Sequence, residues 1–177
     1  MPEAMGRLHP QLRSFVEDMA RCVATYGDRS PALLWTEADH HFLALYRSWS
    51  RTRTAAGGSG APAVPGPEPV PAGAEAAPLA AALGDALGRE VRASYRMCTP
   101  DAPTGPDAPG DAEACVIVVD GACDVRVWPT ADTTAAALSL RLRAGQSLLV
   151  PARHVYATSG ARIPTVLLIL ALGEQTW

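Results

Sequence analysis

The 177-residue chain has no lysine: all fifteen of its cationic side chains are arginine, set against eighteen acids for a net charge of −3. That balance excludes the broad basic field with which proteins hold nucleic acid, so no nucleic-acid partner is expected. Beside heavy use of alanine, with 15 glycines and 16 prolines, the missing lysine reads as GC-rich coding, and a bacterial origin is expected from it. Long apolar runs are missing too. The longest, residues 166–172, falls far short of the ~20 residues that span a bilayer. The opening MPEAMGRLHPQL has no apolar segment of the secretory kind, so a cytoplasmic protein without a membrane partner is the expectation. Cys22, Cys98, Cys115 and Cys123 form no CxxC pair. Reduced, buried thiols are therefore expected rather than a disulfide or a metal site. P-loop, GxGxxG, GxSxG and HExxH patterns are all absent, which leaves nucleotide, serine-hydrolase and zincin chemistry without a motif. No cofactor is expected.

What is present is a series of short strands. EACVIVVDGACDVRVWP is an apolar run broken by Asp120-Gly121, a dipeptide that readily supplies the positive φ of a tight turn, and it reads as two paired strands. ALSLRLRAGQSLLVPARHVYATSG follows with alternating leucines, a Gly turn, a strand stopped by Pro151 and a strand carrying His154, Tyr156 and Thr158. IPTVLLILAL is apolar at nearly every position, the pattern of a central strand buried on both faces. Closely spaced short strands of this kind belong to a β-sandwich or barrel. Ile117, Val119, Leu140, Leu142, Leu149, Leu168 and Leu170 are the expected core.

Before these strands the periodicity is helical. Leu12, Phe15, Val16, Met19 and Val23 recur at helical spacing over residues 10–26, and Phe42, Leu45, Tyr46 and Trp49 do so after an entrance at residues 36–39. Between 53 and 78 the composition shifts to Ala, Gly, Pro and Ser, a stretch that cannot offset its ordering entropy by burial. The expected organisation is an N-terminal helical region over 1–52, a flexible insertion over 53–78 and a β-barrel over 79–177, all in one structural domain, since the length suits a single core. A short helix from Leu79 to Leu87, ended by Gly88, opens the barrel region.

LAAALGDALGREVRASYRMCTP, EACVIVVDGACDVRVWP, LRLRAGQSLLVPARHVYATS and PTVLLILALG together resemble, in order and spacing, the JmjC-like bacterial cupins that include the ribosomal-protein hydroxylases. The resemblance covers about residues 79–173. It implies a cupin-type double-stranded β-helix, or jelly roll, mainly β with flanking N-terminal helices. In that family an H-x-D pair and a later His hold Fe(II) with open positions for 2-oxoglutarate and oxygen. The resemblance puts Ala108 and Gly110, or Pro109 and Asp111 after a one-residue slide, at the first two ligand positions. Tyr156 falls at the third, Arg153 at the family's usual Gly, Gly145-Gln146 at its GD and Cys123 at its Lys. A metal ligand set is thus not expected, and the chain reads as a degenerate JmjC-like cupin.

The polar groups left on the scaffold are Tyr95, Glu113, His154, Tyr156 and Thr158, expected to line a ligand pocket, with Tyr156, His154 and Glu113 the candidates for acid/base work. Alternation puts His154, Tyr156 and Thr158 on one face. His40 and His41, with Glu37 and Asp39 nearby, lie about 100° apart on a helix and cannot chelate one ion together; they read as a solvated face. The expected role is a small-molecule-binding or accessory protein that takes a small molecule or a partner protein. The alternatives are an Fe(II)/2-oxoglutarate hydroxylase with non-standard ligands, such as His154 with Asp111 or Glu113, and a metal-free isomerase or cyclase.

Overall fold

The computed structural model describes residues 5, 6, 8–27, 29–55, 68–70, 76–100, 104–107, 112–129 and 137–175, without the side chains of 68, 104–107, 174 and 175. Helix α1 (Pro10–Tyr26) begins with proline in its first turn, where no backbone N–H is needed, and His9 caps it by accepting from the Gln11 N–H at 3.4 Å. Its buried stripe is Leu12, Phe15, Val16, Met19 and Cys22. Helix α2 (Asp39–Ala55) buries Phe42 and Trp49. The two helices meet edge-to-face, with the Phe15 and Phe42 rings 5.1 Å apart. Helix α3 (Ala77–Leu87) stops at Gly88, whose φ of 67° is the left-handed C-terminal cap.

Ten strands follow the chain: β1 (Ala32–Trp35), β2 (Glu68–Pro69), β3 (Arg89–Cys98), β4 (Thr104–Asp107), β5 (Glu113–Asp120), β6 (Ala122–Pro129), β7 (Leu138–Arg143), β8 (Gln146–Val150), β9 (His154–Ser159) and β10 (Thr165–Gln175). They form a six-stranded sheet ordered β1-β8-β5-β10-β3-β2 and a four-stranded sheet ordered β4-β9-β6-β7. All pairings are antiparallel. Set aside the edge additions β1 and β2, and each sheet holds four strands, between which the chain crosses at every step except β6 to β7. That order is the jelly roll, a double-sheet solution to the edge-strand problem.

The crossings correct one expectation. β5 and β6 are not paired with each other: β5 lies between β10 and β8, and β6 between β7 and β9. The Asp120-Gly121 turn therefore carries the chain from one sheet to the other, with Gly121 at φ 86°. A Cβ on Gly121 would lie 2.5 Å from Thr165 Oγ1, so both backbone conformation and space require glycine there. The adjacency in sequence that suggested a hairpin is equally well served by a corner. A second difference lies within the stretch read as an insertion. Glu68 and Pro69 pair with Tyr95 and Ser94, and the Val70 N–H donates to the Ala93 carbonyl at 2.9 Å, so these residues add an edge strand to β3. Helix α2 also runs to Ala55 and α3 starts at Ala77, each overlapping the ends of that stretch.

Two cores result. One lies between the six-stranded sheet and the helices, where Cys115, Ile117, Val119, Val166, Leu168, Leu170 and Leu172 meet Phe15, Met19, Phe42, Leu79 and Leu83. The other lies between the sheets and takes the alternate positions, Ala114, Val116, Val118, Leu167 and Ile169, with Cys123, Val125 and Val127 opposite. β10 is thus buried on both faces, which is why its sequence shows no alternation. Of the expected core residues, Ile117, Val119, Leu142, Leu149, Leu168 and Leu170 are buried. Leu140 is only half-buried, since β7 is the outer strand of the smaller sheet.

Candidate functional site

The space between the sheets is mostly apolar, and its polar side chains fall in one column. Along β6 and β9 the inward positions are paired: Val125 with Thr158, Val127 with Tyr156 and Pro129 with His154. Cys123, one inward step before Val125, lies at the end closed by the Asp120-Gly121 turn. From the facing sheet β3 contributes Cys98, whose sulfur is 3.0 Å from the Thr158 hydroxyl. Two residues earlier, and so on the same face, is Arg96. The column therefore runs Cys123, Cys98, Thr158, Arg96 and Tyr156, with His154 at the end away from the Asp120-Gly121 turn.

Arg96 is 5% exposed, Thr158 0% and Tyr156 3%. Buried charges are held in proteins only with compensating interactions, so a guanidinium here sets the polarity of the interior. Its positive charge acts on both neighbours. Burial pushes the Tyr156 phenol up to about 12, partly offset by Arg96. Cys98 is drawn down to about 7, chiefly by the hydrogen bond from the Cys123 thiol and further by Thr158 and Arg96, against the opposing effect of burial. Cys123 is pushed up by that same contact and by burial. His154 is half-buried and its Nδ1–H donates to the Ala152 carbonyl at 3.1 Å, which leaves Nε2 as the ring's acceptor in the neutral form.

Just before this strand, Arg153 has φ 60°, and it is the one non-glycine residue with positive φ among those described. Glycine is favoured at such a position, and the sequence resemblance expects one there. Tyr156, which the sequence resemblance puts at the third ligand position, faces the barrel interior.

Of the five residues expected to share a pocket, Tyr156, Thr158 and His154 lie on one face of β9, as alternation required. Tyr95 and Glu113 do not join them. Tyr95 points into the helical layer, with its ring 4.8 Å from Trp49 and 5.3 Å from Tyr46. Glu113 also faces the helices, where it forms an ion pair with Arg89. β5 is buried on two faces, so its sequence carries no alternation. On β3 the apolar Val91, Ala93, Tyr95 and Met97 alternate with polar residues, a signal that places Tyr95 with the helical layer and Arg96 on the opposite face. The neighbours one step away turn inward: Arg96 and Ala114 face the barrel. Arg96, Cys98 and Cys123 join this interior without having been expected in the pocket, although alternation on β3 and β6 marks their faces. Ala108, Pro109, Gly110 and Asp111 lie outside the described residues.

His40 and His41 also differ from a plain solvated face. The His41 ring stacks on His9 at 3.8 Å and on His40 at 4.1 Å, and its Nε2–H donates to Gln11 Oε1 at 2.7 Å. Among the described residues no three His, Cys, Asp or Glu side chains come together in a way that would hold a metal ion. The groups around Tyr156, among the described residues, do not fit ferrous iron: they are a phenol held protonated, the His154 imidazole and the Arg96 guanidinium, which repels cations.

No protein-family model matches the chain, and no curated protein does. Solved structures similar to it include the 11S globulin of Wrightia tinctoria, described with an auxin-binding site, at 17% identity and a TM-score of 0.42 over 48% of this chain and 21% of that one. A TDP-quinovose 3,4-ketoisomerase from Campylobacter jejuni is 21% identical with a TM-score of 0.41 over 47% of this chain and 62% of that one. The Drosophila melanogaster CENP-C cupin domain is 13% identical with a TM-score of 0.40 over 48% of this chain and 65% of that one. The aligned parts span between about a fifth and two thirds of these chains. It is the strand order that carries the assignment. The barrel is a cupin-type jelly roll. No described helix of this cupin fold is long and apolar enough to cross a membrane.

Proposed function

We propose that this cupin is a degenerate relative of the JmjC-like group that binds a small anionic molecule between its sheets, as a carrier or accessory protein rather than an iron oxygenase. The observation that carries the reading is the buried Arg96 guanidinium inside the barrel, beside Tyr156. A fixed cation in a low-dielectric interior raises the energy of a second cation and lowers that of a carboxylate or phosphate. Arginine adds geometry, since its planar fork matches both anions. Tyr156 supplies a hydroxyl donor on the same wall, and His154 lies further along the same strand. An apolar interior with a few convergent polar groups is the usual composition of a small-molecule site.

The test is a thermal-shift and calorimetric screen of small mono- and dicarboxylates and phosphate esters, 2-oxoglutarate included, on protein purified without chelators and assayed for iron. Binding of an anion by protein that carries no stoichiometric iron, lost in Arg96→Gln with the fold retained, is the expected outcome. Stoichiometric iron, or anion binding indifferent to Arg96, overturns it.

A further inference from the structure

We propose that Cys98 and Cys123 form a redox-active dithiol: a peroxide oxidises Cys98, and the pair closes into a disulfide that ties the two sheets together at the closed end of the barrel. The inference goes beyond ligand binding and does not depend on it.

Three observations place the pair. Cys98 ends β3 in one sheet and Cys123 lies near the start of β6 in the other. The Asp120-Gly121 corner brings those two places together. Cys98 is paired with Thr165, whose hydroxyl accepts from the Ala122 N–H at 3.2 Å and donates to the Ala122 carbonyl at 3.1 Å, so Cys98 and Cys123 flank one joint. Their thiols are hydrogen-bonded to each other inside the barrel, and both are free.

The surroundings divide the roles. The sulfur of Cys98 receives hydrogen bonds from Cys123 and from Thr158 and lies in the field of Arg96, all of which favour its thiolate. Cys123 is the donor in that contact and keeps its proton. In the first step the Cys98 thiolate attacks one oxygen of the peroxide. The O–O bond breaks, the distal oxygen leaves as hydroxide or alkoxide and takes up a proton, and Cys98 becomes a sulfenic acid. In the second, the Cys123 sulfur attacks the Cys98 sulfur and the S–O bond breaks. The departing hydroxide takes the Cys123 proton and leaves as water. With hydrogen peroxide the sum is two thiols and one peroxide to one disulfide and two waters.

The other two cysteines serve as an internal control. Cys115 faces the helices, close enough to Cys22 to feel its charge, and burial pushes both thiols up. They have proximity without an activated thiolate.

The experiment treats reduced wild-type protein with a stoichiometric amount of hydrogen peroxide, blocks remaining thiols by alkylation and maps peptides without reductant. The expected product has lost two hydrogens, joins the peptides of Cys98 and Cys123, and leaves Cys22 and Cys115 alkylated. Cys123→Ser is expected to stop at a sulfenic acid on Cys98 that dimedone traps, and Cys98→Ser to lose the reaction. Should either variant fail to fold, the wild-type map still decides. A Cys22–Cys115 link, a sulfenic acid on Cys98 that persists in the wild type, or oxidation seen only after unfolding in urea each overturns the proposal.

Discussion

The Glu113 carboxylate is clamped between the Arg89 guanidinium and the backbone of Gly27, where any side chain's Cβ in place of the glycine hydrogen would come within 2.9 Å of Glu113 Oε1. It thereby ties the first residues of β3 and β5 to the end of α1. The ion-paired side chains are 13% and 11% exposed, so little water is left to replace a lost partner. Glu113→Ala is expected to cost about 3 kcal/mol, as for other buried pairs broken on one side. Urea unfolding of the single and double variants checks this. The double variant should recover part of the loss, and ligand binding in the barrel should be unaffected.

Leu168 and Leu140 test the two-core arrangement. Leu168 is fully buried between the central sheet and the helices, whereas Leu140 is half-buried on an outer strand. Leu168→Ala is expected to cost ~2–5 kcal/mol, the range for a leucine deleted from a packed interior, and Leu140→Ala clearly less. Equal shifts in the denaturation midpoint would contradict the layering.

Two positive-φ positions predict opposite signs. Gly121→Val puts a β-branched side chain at φ 86° and against Thr165, and is expected to destabilise strongly or prevent folding. Arg153 already bears the left-handed penalty at φ 60°. Arg153→Gly is expected to raise stability by about 1 kcal/mol, measured by the shift in thermal midpoint.

How much of this could be read from the chain depended on whether an element is buried on one face or two. α1 and α2 were legible because one stripe of each is apolar. On β9 the alternation of His154, Tyr156 and Thr158 showed directly which side chains share a wall. On β3 the alternation of Val91, Ala93, Tyr95 and Met97 with polar residues does separate Tyr95 from Arg96. β5 sits deeper, with one face on the helices and the other on the barrel, so nothing in its sequence says which way Glu113 turns. The corner at Gly121 was equally silent, because a glycine turn permits a hairpin and a change of sheet alike. Only the long-range pairing of β5 with both β10 and β8 decides between them.

The stacked imidazoles of His9, His40 and His41 lie in the first turn or just before it in α1 and α2, where positive charge opposes the helix dipole. Desolvation, followed by His9 and His40, holds His41 below its ordinary value, with Asp39 acting weakly the other way. A lowered folded value means that neutral His41 contributes stability above the unfolded value of about 6.5, and that the contribution is lost as pH falls through the folded value. Acidification below about pH 6 should therefore lower the urea midpoint, and His41→Gln should flatten that slope.

Tyr156→Phe removes one hydroxyl from the barrel wall. A phenol pushed up to about 12 is a poor proton shuttle near neutrality, so the binding role predicts a modest loss of affinity, about 0.5–1.5 kcal/mol. An isomerase or cyclase using Tyr156 as its acid or base would instead lose roughly 10²- to 10⁴-fold in turnover. Calorimetry of the bound anion and a product assay separate the two.

The order of the strands also bears on how the chain is made. β10 is the last strand of the barrel to be synthesised, yet it lies in the middle of the large sheet, hydrogen-bonded to β5 on one side and β3 on the other. A nascent chain lacking Leu167, Leu168, Ile169 and Leu170 exposes two unpaired apolar strand edges and cannot close either core. Synthesis at ~5–20 residues per second leaves those edges open while the remaining strands emerge. The ribosome-bound intermediate, rather than the finished barrel, is then the form most exposed to aggregation and most dependent on chaperones.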